Sequence, residues 1–285
     1  MVNRRKFLAA TTASLFAAPA GGIVDTHIHL YDPTRPQGVP WPPKNDALLY
    51  KPVLPATFAS LVRPLGVTGT VVVEASAWLE DNQWILDLAK DHRMIVGFVG
   101  HLEPGTEEFR SHLSRFSKDR LFRGIRLNAG GINAGIARPA FLEDLKRLAG
   151  AGLMIDAIGS AAMIPSLLSL TEKIPTLRIA IDHMPAEPPG WREKRAELRA
   201  LAKSPQVYSK VSGVIGHKEW LAEVWEMFGP DRVMYGSNWP VSDRQAPYAE
   251  VLKTMQDFLS TKDAGTREKY FRRNSQACYN WTDRV

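Results

Sequence analysis

Alternation constrains this chain more than any other feature. Runs rich in valine, isoleucine and other strand formers occur eight times, at 23–30, 70–75, 95–101, 124–128, 153–158, 178–183, 207–212 and 232–238, with longer segments of helical period between them. Strands joined through helices run parallel, because each crossover returns the chain to the same end of the sheet. The intervening segments carry apolar stripes. Leu221, Val224, Trp225 and Phe228 stand at i, i+3, i+4 and i+7, and Tyr248, Val251, Leu252 and Met255 repeat that spacing. Gly229-Pro230 stops the first of these helices, and Pro139 opens a helix ahead of the fifth strand. Eight such units predict an α/β fold of the (β/α)8 TIM-barrel kind. An open doubly wound sheet of the dinucleotide-binding type would want a Gly-x-Gly-x-x-Gly turn, and none follows the first strand.

At 285 residues, with one composition regime after the start, the chain is expected to form a single barrel domain over 21–285. Residues 1–20 stand apart. Asn3-Arg4-Arg5-Lys6 is followed by a mildly apolar run at 7–18, too short to span a bilayer, and then by Ala18-Pro19-Ala20. This resembles a twin-arginine export signal cleaved before Gly21, so the mature protein is expected to be periplasmic or otherwise exported. Three basic residues and no acid leave with that leader, lowering the formal net charge from +6 to +3. That charge is too mild for a nucleic-acid surface, and no basic run alternates with aromatics. The expected partner is a small molecule, with no nucleic acid and no membrane once the signal is gone; oligomeric state is not legible. The only cysteine, Cys278, excludes an internal disulfide.

The strongest local signal is Asp25-Thr26-His27-Ile28-His29. Alternate strand residues project to one side, so Asp25, His27 and His29 are expected to face one space at the barrel mouth. Asp182-His183 closes the sixth strand, with the two side chains expected on opposite faces. Gly236-Ser237-Asn238-Trp239-Pro240 places Asn238 at the same mouth. His27, His29 and His183 would make a three-nitrogen set of the kind a divalent cation such as zinc accepts. Glu74, after Val71-Val72-Val73, is a carboxylate at the end of a buried strand and needs a partner or a task. Arg126 and Asn128 share a face suited to a carboxylate or a polyhydroxylated acid, although an ion pair to a neighbouring acid serves Arg126 equally well. His101 and Lys210 also fall near strand ends. The proline-rich segment 31–55 reads as a lid over the mouth, in which Trp41 and Tyr50 either stack on a substrate or pin the loop.

Taken together, the His-x-His strand, the Asp182-His183 strand end and the Gly236–Val241 run resemble the amidohydrolase-related family, in particular its sugar-lactonase branch. That branch includes fuconolactonase-like, rhamnonolactonase-like and pyrone-dicarboxylate lactonase-like enzymes. Val96–Gly100, Arg123–Arg126 and Leu177–His183 extend the resemblance over nearly the whole mature chain. It implies a hydrolase in which an aspartate after the eighth strand is the general base and the histidines bind metal or polarise a carbonyl. Asn238 stands here instead, and an amide takes up no proton near neutral pH. Three consequences stay open. Another group among Glu74, Asp25, His183 and Asp243 replaces the base and lactone or ester hydrolysis survives; Asn238 orients a hydroxyl in a lactone isomerase; or the barrel is a non-catalytic sugar-acid binding protein. The expected site is Asn238, His183, Glu74 and Asp25 for chemistry, with Arg126, Asn128, Trp41 and His101 for substrate.

Overall fold

A computed structural model describes residues 21–284 except 186–190, 192, 213 and 214. The export signal proposed at 1–20 lies outside the described residues. Eight strands form one parallel sheet in sequence order: β1 (Ile23–Ile28), β2 (Val67–Val73), β3 (Ile95–Gly100), β4 (Phe122–Asn128), β5 (Met154–Ile158), β6 (Ile179–Pro185), β7 (Val207–Ser212) and β8 (Val233–Tyr235). The sheet curls until its edges meet. Ile28 bridges Trp239, the His29 amide donates to the Trp239 carbonyl at 2.9 Å, and the Asn238 amide donates to the His27 carbonyl at 2.8 Å.

Helices α1 (Pro55–Val62), α2 (Leu79–Asp91), α3 (Phe109–Phe116), α4 (Ala129–Gly135), α5 (Pro139–Gly150), α6 (Ile164–Lys173), α7 (Arg195–Leu201), α8 (Lys218–Phe228), α9 (Tyr248–Phe258), α10 (Ala264–Glu268) and α11 (Asn274–Tyr279) complete the fold. Pro139 is the first residue of α5, and Gly229, at φ 70°, caps α8, as the sequence implies. No helix among the described residues is long and apolar enough to cross a membrane.

The apolar residues divide into two clusters, as a barrel requires. The larger includes Ile23, Val72, Phe98, Ile125, Ile155, Ile179 and Tyr235 together with helix residues such as Phe58, Leu145, Leu221 and Leu252, which places it between strands and helices. The smaller gathers Val24, Val71, Val73, Val96, Val99, Met154, Ala180 and Met234 from the strands with Cys278, Tyr279 and Trp281 from the C-terminal segment. The chain end therefore helps to fill the barrel interior.

β8 is shorter than the 232–238 expected, because the chain leaves the ladder at Gly236. A Cβ there would lie 2.9 Å from that of His27 and 3.1 Å from Lys210 Cγ, so only glycine fits at this crossing. The 31–55 segment is closed at its neck, where Tyr31 and Val53 exchange backbone hydrogen bonds of 3.0 and 2.8 Å. Asp46 pairs with Arg244, fastening the loop to the chain that follows β8.

Candidate active site

A cavity of about 370 Å³ opens at the carboxyl ends of the strands, lined by His29, Trp41, Ala75, Arg126, Ile158, His183, Asn238 and Val241. In parallel barrels this end carries the chemistry, since the loops that follow the strands converge there. His183 and Asn238 both sit in the left-handed region, at φ 59° and 63°. Backbone strain of this kind is held by surrounding structure and gathers at working sites.

The histidines are neutral for physical reasons. Burial, reinforced by the Arg126 charge, lowers His29 to about 3, although its bond to Val73 pulls the other way. Burial likewise brings His183 to about 4 and holds His27 well below its usual value. His29 Nδ1 lies 3.0 Å from the Val73 carbonyl, which can only accept. The proton therefore resides on Nδ1, and Nε2 keeps its lone pair. His183 Nδ1 is 2.8 Å from Ser212 Oγ.

Below the cavity runs a fully buried polar column. His27 Nδ1 is 3.6 Å from Asp182 Oδ1, Lys210 Nζ is 2.9 Å from the same oxygen and 2.5 Å from Asp156 Oδ2, and the Tyr279 hydroxyl donates to Asp156 Oδ1 at 2.9 Å. Burial alone would raise Asp182, but the Lys210 ammonium and then His27 hold it well below the usual carboxylate range. Asp156 is raised to about 7, by burial first and the Asp182 charge second. Lys210 loses by burial, yet its two acids keep its pKa raised.

His27, Asp182 and His183 each offer a donor atom within 4.8 Å of the others. Both ring nitrogens of His27 and Oδ2 of Asp182 are buried without a hydrogen-bond partner, while Asp182 Oδ1 is held by the Lys210 ammonium. Two imidazoles and a carboxylate with orphaned lone pairs fit a divalent cation of the zinc type. His29, expected in this set, lies outside the cluster, and Asp182 stands in it.

Two expectations about facing are overturned. A register shift in β1 between Asp25 and Ile28 breaks the alternation. Asp25 does not line the cavity: its Oδ1 accepts from the amides of His27 (3.0 Å) and Ser237 (2.9 Å), and its Oδ2 from the Tyr248 hydroxyl (3.0 Å). Asp182 and His183 were expected on opposite faces, but the left-handed backbone at His183 and the register shift between Ile181 and Met184 bring both into one cluster.

The other expected residues are dispersed around the mouth. Glu74 does not line the main cavity. It is bound by Arg126, whose Nε donates to Glu74 Oε1 and Nη2 to the Glu74 carbonyl, both at 2.8 Å. Arg126 thus makes the ion pair and also lines the cavity. Asn128 caps α4 by accepting from the Gly131 amide at 2.8 Å, and with His101 it lines an adjoining cavity of about 210 Å³ that shares Arg126. Trp41 stands 5.7 Å from the His29 ring and 5.4 Å from Tyr31, joining the loop to the cavity, while neither Tyr50 nor Asp243 lines it. Sequence reasoning missed Asp156 and Tyr279 and undervalued Lys210. A lysine inside Val207-Tyr208-Ser209-Lys210-Val211-Ser212 is the available signal, because a buried ammonium demands acids on neighbouring strands.

Imidazoles, a guanidinium and an amide converging on the open end of a (β/α)8 barrel define an enzyme for a small polar substrate. The amidohydrolase family model matches residues 24–281, and the chain belongs to that family. It is 28% identical over 238 residues to an L-fucono-1,5-lactonase of Burkholderia ambifaria, covering 77% of this chain and 80% of that protein. It is also 23% identical over 282 residues to an L-fucono-1,5-lactonase of Burkholderia multivorans, covering 90% and 95%. An amidohydrolase from Burkholderia multivorans solved with bound zinc shares the fold, with a TM-score of 0.81 at 22% identity over 91% of this chain and 99% of that one.

Proposed function

We propose that this enzyme hydrolyses the ring ester of a small sugar lactone. The observation that carries the reading is the convergence of His29 Nε2, Arg126 and Asn238 on one cavity of about 370 Å³, in a chain related to L-fucono-1,5-lactonases. The cavity suits a monosaccharide-sized substrate. Arg126, anchored by Glu74, presents its guanidinium to the lactone carbonyl oxygen, where negative charge grows during attack. His29, with its tautomer fixed by Val73, accepts a hydrogen bond from the attacking water at Nε2 and aims its oxygen at the acyl carbon. As the acyl carbon–ring oxygen bond breaks, a proton of that water passes directly to the departing alkoxide, leaving a free carboxylic acid and a hydroxyl. Asn238 orients a ring hydroxyl, and Trp41 covers an apolar sugar face.

His27, Asp182 and His183 would hold a divalent cation, which when bound supplies Lewis-acid polarisation and an acidified water. The test is a proton NMR time course with aldono-1,5- and 1,4-lactones, run with chelator and with added zinc. Free acid formed above the uncatalysed rate, and lost in His29→Gln, supports the reading. No acid under either condition overturns it.

Asn238 favours a second reading, because an amide stands where the family resemblance implies a basic carboxylate. There a substrate hydroxyl replaces water, and the lactone changes ring size without releasing acid; the same spectra distinguish the two. Export rests on Arg4-Arg5 with Phe7-Leu8 and is likewise proposed. N-terminal sequencing from the native host that begins at Gly21 supports it, and Met1 retained on cytoplasmic protein refutes it.

A further inference from the structure

The three-donor cluster has a permanent neighbour. Lys210 Nζ is 2.9 Å from Asp182 Oδ1, an oxygen that also faces His27 at 3.6 Å. The lysine is fully buried, as are Asp182 and Asp156. It is fixed from below by Asp156, which is fixed in turn by Tyr279 on α11, and the Tyr279 ring lies 5.4 Å from the ammonium. Gly236, packed against the lysine stem, leaves the side chain little room to withdraw. A divalent cation held by His27, Asp182 and His183 must therefore share the Asp182 carboxylate with an ammonium that cannot move away.

We propose that Lys210 is a resident cation that sets how tightly the His27–Asp182–His183 cluster takes a divalent ion, keeping that binding weak and exchangeable. Two effects act in the same direction. Repulsion between the two cations inside a low-dielectric interior opposes loading, and the ammonium withdraws electron density from the one carboxylate in the donor set. Asp156 moderates both by drawing part of the ammonium's field away from Asp182. The inference rests on the cluster as a cation site, but not on lactone hydrolysis.

The test is calorimetric titration of the full chain with zinc chloride, with cobalt(II) visible absorption as an independent readout of ligand number. Lys210→Met alone leaves two buried acids unpaired, so the variant to use is Asp156→Asn/Lys210→Met, in which the amide oxygen introduced at position 156 still accepts from Tyr279. This double variant is expected to bind one zinc at least tenfold more tightly than wild type, and adding Asp182→Asn should abolish the gain. Asp156→Asn alone should act in the opposite direction, weakening zinc binding at least threefold by concentrating the ammonium's field on Asp182. This second arm stands if the double variant does not fold. Equal zinc affinity in wild type and both variants, with circular dichroism showing all three folded, overturns the proposal. Absence of zinc binding in all of them overturns it together with the cation site. Lactone hydrolysis by wild type in chelator is scored separately, so failure of the proposed activity leaves the titration interpretable.

Discussion

Asp25 and Asp182 are both fully buried carboxylates close to His27, yet their surroundings drive them apart. At the β1–β8 seam, Asp25 meets neutral donors: the Ser237 side chain, the amides of Ser237 and His27, and the Tyr248 hydroxyl. These pull its pKa down less than burial pushes it up, and it settles at about 6. At the centre, Asp182 meets an ammonium, and that charge outweighs the same burial. Hydrogen bonds from neutral groups can fix a carboxylate in place, whereas a buried countercharge is needed to keep it ionised. The seam acid is thus built to hold strands and the central acid to carry charge.

The sharpest way to break this comparison is to neutralise each acid in turn. Asp182→Asn should lower kcat/KM for the lactone on the order of 10²- to 10³-fold, because a charged member of the centre is lost. Asp25→Asn should lower it less than about tenfold, and equal losses in steady-state assays would erase the distinction. Next in size is Lys210→Met, which should destabilise the fold by about 3–5 kcal/mol in urea denaturation, since it strands Asp182 and Asp156 without their countercharge.

Tyr248→Phe tests the seam alone, with an expected cost of about 1–3 kcal/mol for removing a donor from a buried acceptor. That cost should be larger at pH 8 than at pH 5. Asp25 is protonated in the fold up to about 6, whereas in the unfolded chain it ionises near 3.8. Its contribution is therefore complete below the unfolded value and fades as pH rises through about 6, where the charged form most needs Tyr248. A cost independent of pH would show that Asp25 titrates normally.

The smallest effect is a matter of where a limb falls. His29 and His183, lowered to about 3 and 4, stay neutral at mild acidity, so their imidazole NMR shifts should not move near 6.5 and the activity they carry should fall only as pH approaches about 4. Stability runs differently. The unfolded chain protonates these histidines first, so their contribution is present above about 6.5 and is lost progressively as pH falls toward their folded values. Imidazole resonances of His29 or His183 that titrate near 6.5 would mean that burial does not govern them.

Much of this was legible in the residues. The eight strand runs match the observed strands to within a few positions, because parallel strands covered on both sides need nearly continuous β-branched and apolar residues whatever surrounds them. His29, His183 and Asn238 were legible as mouth residues because polar side chains at the ends of apolar strands have few other places to be, whereas His27, expected beside them, is fully buried and does not line the cavity. Facing was not legible at Asp25 or at the Asp182–His183 pair. Alternation assumes a regular strand, and a register shift in β1 and a left-handed residue in β6 break it. Neither Thr26-His27 in the first case nor His183 in the second is a glycine or proline that would announce the irregularity.

By itself, then, the sequence determined the barrel, the order of its strands and the end at which the histidines gather, since each follows from local pattern and chain connectivity. Tertiary structure alone decided which acid joins which imidazole. Asp182 meets His27 and Lys210 from strands far apart in the chain, Asp156 meets Tyr279 from the chain's far end, and Asp25 turns to Tyr248. Those pairings depend on barrel closure, which sets distances that no local spacing encodes, and on burial, which makes an unpaired charge too costly to leave alone.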